Sequence, residues 1–75
     1  MIPVQPLKVF FPSLNEIFTL SPLYDPPEAK MYWIEDDEEK ERWYAATGFP
    51  TCCMIKRKQQ MFCHSSWEIK IGEIV

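Results

Sequence analysis

The distribution of proline is the feature of this chain that most restricts its fold. Six of the seven prolines lie within residues 1–27, and the seventh is Pro50. Because proline fixes φ and has no backbone N–H, it interrupts helices and the interiors of sheets. The first third of the chain is therefore predicted to contain only short elements, beginning with an extended arm at residues 1–6.

Three short elements are predicted in this part of the sequence and just beyond it. Residues 7–11 (LKVFF) favour a strand. Residues 13–16 (SLNE) match a capping box, in which serine and glutamate satisfy each other's backbone N–H groups, so a two-turn helix ending at Pro22 is predicted. A turn at residues 23–28 then leads to residues 30–34 (KMYWI), which favour a second strand.

A second helix is predicted after this strand. Asp36 and Glu39 have the spacing of another capping box, and Gly48 can adopt the left-handed conformation that ends a helix. Trp43 and Ala46 are predicted to face the core.

Beyond Pro50 the apolar pattern changes to a period of two, which is typical of strands. A three-residue turn at 57–59 would place Cys53 opposite Cys63, and Gly72 is interpreted as a bulge. The residues predicted to face inward on the last strand are Trp67, Ile69 and Ile71.

Length and composition indicate one folded domain over residues 1–75. A chain of 75 residues has one core at most, and 47% hydrophobic and 15% aromatic residues are too many for a disordered chain. The predicted fold class is α+β, with two short helices and a mainly antiparallel sheet that ends in a β-meander.

Charge is distributed unevenly along the chain. Six carboxylates occupy the seven positions 35–41, whereas the one basic cluster is Lys56-Arg57-Lys58. Such separation steers charged partners. The net charge of −3 and the pI near 5.0 disfavour general nucleic-acid binding.

The cysteines and the single histidine suggest metal chemistry by residue type. Cys52-Cys53 and Cys63-His64 contain common zinc ligands, but neighbours on a strand point to opposite faces, so four donors do not converge. Small buried thiols are the favoured interpretation, and a Cys53–Cys63 disulfide remains an alternative. An odd number of cysteines fits reduced thiols in the cytoplasm.

Catalysis and membrane insertion are both disfavoured by the sequence. Cys52 could approach His64 across the hairpin, but no oxyanion hole and no third orienting group are visible. The two glycines, Gly48 and Gly72, cannot form a phosphate-binding loop. No enzyme activity and no cofactor are therefore predicted. No signal peptide is predicted at Met1, and no apolar run reaches about 20 residues, the length that spans a membrane.

These observations predict a small cytoplasmic interaction module, an inhibitor or regulator of viral or phage-effector type, that binds a larger protein with a basic surface. Since Asp36 and Glu39 are assigned to capping, other acids and nearby aromatics are predicted to make the contacts. They are Glu35, Asp37, Glu38, Glu41, Tyr32, Trp33 and Tyr44. The alternatives are a nucleic-acid-binding module that uses Lys56-Arg57-Lys58 and a Cys/His metal or redox module.

Overall fold

The computed structural model describes residues 5–23, 30–66 and 68–75. Within these ranges it contains six strands and one helix, which are β1 (Leu7–Phe11), β2 (Glu16–Pro22), β3 (Met31–Trp33), α1 (Asp37–Thr47), β4 (Met54–Arg57), β5 (Gln60–His64) and β6 (Ile69–Ile74). Each strand pairs antiparallel with the next, and β6 pairs with β1, so the sheet closes into a barrel. The predicted α+β class with two helices is therefore wrong. Among the described residues, no helix is long and apolar enough to cross a membrane.

Parts of the sequence prediction concern segments outside these ranges. They are most of the arm at residues 1–6, most of the turn at residues 23–28, and Trp67.

The segment predicted as the first helix instead forms a β-hairpin. The Phe11 carbonyl accepts hydrogen bonds from the N–H groups of Leu14, at 3.0 Å, and Asn15, at 2.8 Å. Asn15 has a φ of 55°, in the left-handed region that asparagine tolerates well. In β2, Phe18 is buried and Ile17 is 49% exposed, which is the alternation of a strand. Pairing with β1 therefore overrides the local capping signal.

α1 closes one end of the barrel by inserting Trp43. The indole is fully buried and meets three rings edge-to-face, with centroid distances of 5.1 Å to Phe11, 5.3 Å to Phe18 and 6.0 Å to Phe49. The predicted burial of Trp43 is confirmed, whereas Ala46 is exposed. The full core consists of Val9, Phe11, Phe18, Leu20, Tyr32, Ile34, Trp43, Phe49, Met54, Met61 and Cys63.

The β4–β5 hairpin has a shorter turn than predicted. Its turn contains only residues 58–59, so Met54, rather than Cys53, lies opposite Cys63. A one-residue change of register turns every side chain to the other face of a strand. Met54 and Cys63 consequently face the core, while Cys53 and Ile55 are exposed.

The inward face of β6 is also the reverse of the predicted one. Ile69 and Ile71 are 55% and 43% exposed, and the buried position is Gly72. Pairing with β5 continues in regular register through Gly72, so the predicted bulge is wrong. A Cβ atom at this position would overlap Val9 Cγ1 and would lie 2.9 Å from ring atoms of Phe11. Glycine therefore makes room for the aromatic core.

The acidic and basic segments of the sequence lie at opposite ends of the barrel. β1 ends near α1 because Trp43 packs on Phe11, and β3 ends there because α1 follows it in the sequence. β5 ends at the same side of the barrel, since alternate strands of an antiparallel sheet run in the same direction. The β4–β5 turn, which contains Lys58, lies at the other end, beside the last residues of β6, where the Ile74 N–H donates to the Gln59 carbonyl at 2.9 Å. The charge separation along the sequence is thus a separation along the barrel axis.

Candidate protein-interaction surface

The start of α1 has the cap that the sequence predicts. Asp36 is the N-cap residue in extended conformation, and its Oδ2 accepts a hydrogen bond from the Glu39 N–H at 3.0 Å. Gly48 ends the helix with a φ of 82° and donates its N–H to the Tyr44 carbonyl at 2.8 Å. Both signals act within one helical turn, which is why the sequence alone reveals them.

The Glu39 side chain does not complete the capping box. Its Oε1 accepts a hydrogen bond from the Thr19 N–H of β2 at 2.6 Å, and Arg42 Nη2 donates to the Ile17 carbonyl at 3.1 Å. β3 pairs with β2 only at Ser21 and Pro22, so the preceding part of β2 lacks a neighbouring strand on that side. Glu39 and Arg42 supply the acceptor and the donor that a strand would otherwise supply.

Arg42 also draws two carboxylates together. Its Nη2 lies 3.5 Å from Glu39 Oε1, and its Nη1 lies 3.7 Å from Glu16 Oε2. The guanidinium stacks on the Phe18 ring at 4.2 Å from the centroid. Glu39 and Arg42 therefore fasten α1 to β2, and their charges are already engaged within the fold.

The other carboxylates of the acidic segment are exposed. Asp37 forms an ion pair of 3.5 Å with Lys40 while its side chain stays 95% exposed. Glu35, Glu38 and Glu41 are exposed and have no hydrogen bond or ion pair within the described part of the chain. These four residues are the four carboxylates that the sequence predicts as contacts.

Two of the three predicted aromatic anchors are exposed near these carboxylates. Trp33 is 38% exposed, and Lys40 Nζ lies 5.5 Å from its ring centroid. Tyr44 is 58% exposed. Tyr32 is only 3% exposed, and burial raises the pKa of its phenol, so it belongs to the core rather than to the surface.

The helix period places some of these residues together and separates others. Asp37, Glu41 and Tyr44 are spaced i, i+4 and i+7 and share one face of α1. A groove of about 310 Å³ continues this face, lined by Lys40, Glu41, Tyr44, Pro50 and Thr51. Sequence reasoning missed Lys40 and the Pro50–Thr51 wall; the i, i+3 spacing from Asp37 could have revealed Lys40.

Glu35 and Glu38 line clefts between the helix start and β2. Glu38 lines a cleft of about 550 Å³ whose walls include Lys8 and Ile17. Glu35 and Asp37 line an adjoining cleft of about 430 Å³ with Ser21. We call the whole exposed set the α1 surface; it comprises Trp33, Glu35, Asp37, Glu38, Glu41 and Tyr44.

The cysteines are arranged differently from the sequence prediction. Cys52 Sγ lies 3.1 Å from Cys63 Sγ and 3.3 Å from the His64 carbonyl oxygen, while Cys53 is exposed. Burial and the contact with Cys52 raise the pKa of the Cys63 thiol. Among residues 5–23, 30–66 and 68–75, no three His, Cys, Asp or Glu side chains are grouped so that they could hold a metal ion.

The basic segment has only part of its charge at the surface. Arg57 and Lys58 are exposed, whereas Lys56 is half-buried. Arg57 Cζ lies 5.9 Å from the Phe62 ring centroid, so one cation and one ring adjoin at this end of the barrel.

Comparisons with known proteins find no matching protein-family model, no matching curated protein and no matching solved structure. They give no support to the expectation of an inhibitor or of a viral origin.

Proposed function

We propose that this protein is a small interaction module whose α1 surface binds a basic segment of a larger protein. The observation that carries the proposal is the combination of unpaired carboxylates with exposed aromatic rings. Glu35, Glu38 and Glu41 have no partner among the described residues, and Trp33 and Tyr44 are exposed beside them.

Capping does not account for this number of acids. One acceptor, Asp36, satisfies the Glu39 N–H, and each further acid near the helix start gains only about 0.3–1 kcal/mol from the helix dipole. Neighbouring carboxylates also repel one another in the unbound protein. A cationic partner would relieve this repulsion, which supports a role in binding.

The two kinds of side chain would contribute differently. Exposed ion pairs add only about 0.2–1 kcal/mol each, so the carboxylates chiefly accelerate association and select a cationic partner. A few residues, among which Trp and Tyr are enriched, carry most of the binding energy in protein interfaces. The groove beside Tyr44 and Pro50 can accept an apolar side chain of the partner. The expected partner sequence therefore combines Lys or Arg with aliphatic residues.

The test uses a synthetic peptide in which Lys and Leu alternate, titrated into the isotopically labelled protein and followed by NMR. The largest peptide-induced changes in amide chemical shift should occur at residues 33–45 and 50–51. A variant with Glu35, Glu38 and Glu41 changed to Gln and Asp37 to Asn keeps the side-chain shapes and removes four charges. Its association rate should fall at least about tenfold at low salt, and the difference should shrink as salt shortens the screening length to about 8–10 Å.

The chain offers a matched control at the other end of the barrel. Changing Arg57 and Lys58 to Gln removes exposed charge without touching the α1 surface, and peptide binding should stay at least as fast. Equal binding by the Gln/Asn variant and the wild type at every salt concentration would contradict the proposal. Binding of a duplex DNA oligonucleotide at physiological salt, if it disappears in the variant with Arg57 and Lys58 changed to Gln, would favour the nucleic-acid alternative instead.

A further inference from the structure

Two of the three cysteines are held in contact inside the fold. Cys52 Sγ and Cys63 Sγ are 3.1 Å apart, whereas a disulfide bond is about 2.05 Å long, so about 1 Å of approach separates contact from bonding. Cys52 lies in the connection between α1 and β4, and Cys63 lies on β5. The contact therefore joins segments that are eleven positions apart in sequence.

We propose that Cys52 and Cys63 form a thiol–disulfide redox site, which a low-molecular-weight disulfide such as glutathione disulfide oxidises to an intramolecular bond. The site follows from the packing of the connection before β4 against β5, and not from the sequence pattern, which pairs Cys63 with Cys53. Cys53 is exposed and its neighbour Cys52 turns inward, so the two adjacent thiols have different environments.

Access determines the order of the chemistry. Cys63 is fully buried, whereas Cys52 is partly accessible, so glutathione disulfide must react first at Cys52. The Cys52 thiol loses its proton, and the thiolate attacks one sulfur of glutathione disulfide. A mixed disulfide forms, and one glutathione thiolate leaves and takes up a proton.

The second step needs no further oxidant. Cys63 loses its proton and attacks Cys52 Sγ, the mixed disulfide breaks, and the second glutathione leaves and is protonated. The protein thiols lose two electrons, and glutathione disulfide gains them. Because burial raises the pKa of Cys63, little thiolate is present and this step should limit the rate.

The bond would act on the helix end of the barrel. The connection that contains Cys52 also contains Phe49, which packs on Trp43 of α1. Linking it to β5 would restrict the segment that holds α1 in place. Oxidation should therefore reduce amide exchange in residues 49–54 more than in the β4–β5 turn.

The experiment equilibrates the folded wild-type protein with reduced and oxidised glutathione, then quenches it in acid and unfolds it. Free thiols receive one alkylating tag, and thiols released by reduction receive a second, distinguishable tag. Fragment-ion mass spectrometry then assigns the tags. The expected result is the first tag on Cys53 alone, the second on Cys52 and Cys63, and a loss of two hydrogen masses from the intact chain.

Adjacent positions provide matched variants. Cys53→Ser should retain the intramolecular bond and leave no thiol to alkylate, whereas Cys52→Ser should form none. Three outcomes would each overturn the proposal: a bond between Cys53 and Cys63, the first tag on all three cysteines after oxidation, or glutathione adducts with no intramolecular bond. Circular dichroism would show whether Cys52→Ser folds. If it does not fold, the tags on the wild-type protein still decide whether Cys52 and Cys63 are bonded.

Discussion

Replacing Glu39 by Ala is expected to destabilise the barrel, although Glu39 lies in an acidic helix turn at the surface. In a purely local capping box its side chain would matter little. In the structure it accepts a hydrogen bond of 2.6 Å from the Thr19 N–H of β2, where β3 no longer pairs with that strand. Alanine would leave that N–H without its acceptor.

The magnitude follows from this contact. A hydrogen bond to a charged group contributes about 1.5–3 kcal/mol, and a donor left unpaired carries its own desolvation cost. The ion pair with Arg42 adds little, about 0.5 kcal/mol, because the Arg42 side chain is 40% exposed. The loss should therefore be about 2–3 kcal/mol. For a domain of this size it should lower Tm by roughly 10–20 °C.

Glu38→Ala is the matched control. It makes the same substitution in the same helical turn and loses a similar interaction with the helix dipole, but Glu38 is exposed and has no hydrogen bond among the described residues. Its unfolding free energy should change by less than about 0.5 kcal/mol. The same variant therefore separates the local effect of a charge from the tertiary contact of Glu39.

The assays are chemical denaturation and amide hydrogen exchange. Exchange of the Thr19 amide should accelerate in Glu39→Ala and stay at the wild-type rate in Glu38→Ala. If both variants unfold at the same denaturant concentration and Thr19 stays protected, then Glu39 does not substitute for a strand, and the reasoning is refuted.

Two further predictions concern the core. Trp43→Ala should lower the free energy of unfolding by about 3–5 kcal/mol, the range for a buried aromatic, because the indole is fully buried against Phe11 and Phe18. Loss of the near-ultraviolet circular dichroism signal and of a cooperative urea transition would report this effect. An unchanged urea transition would contradict it. Gly72→Ala should destabilise the protein by about 1–2 kcal/mol, because the added methyl group would overlap Val9. This cost outweighs the gain of about 0.4–1 kcal/mol that Gly→Ala gives at an unstrained site. Combining it with Val9→Ala should cost less than the sum of the two single losses in denaturation curves, because the smaller side chain relieves the overlap. A Gly72→Ala variant more stable than the wild type would show that the site has room.

Local signals in the sequence determined α1 and the strands β1 and β3, which were predicted at residues 7–11 and 30–34, but not how the strands pair. Asp36 as N-cap, Gly48 as the left-handed end and Trp43 as the buried position were all predicted, and the structure confirms them. Each depends on residues within a few positions, because helix hydrogen bonds close over four residues. The cluster of acids at residues 35–41 is likewise read directly from the sequence, and Asp37, Glu38 and Glu41 are exposed in the structure; their role as contacts stays a prediction.

Strand pairing was decided only by the tertiary structure. Residues 13–16 carry a helix-capping signal, yet the hydrogen bonds of β2 go to β1, across a turn that Asn15 permits. The turn at residues 58–59 is one residue shorter than predicted, and that difference alone moves Cys63 from Cys53 to Met54. Register has a period of two, so one residue inverts both faces of a strand.

The partners of single side chains likewise depend on closure of the barrel. The sequence places Glu39 at the third position of a helix, but the short β3 leaves part of β2 without a strand neighbour and makes Thr19 its partner. The sequence shows three cysteines, and only the packed connection before β4 brings Cys52 to Cys63. Such contacts depend on the relative positions of elements distant in sequence, so local residue patterns determine the helix and its charges while closure of the barrel determines what those charges and thiols contact.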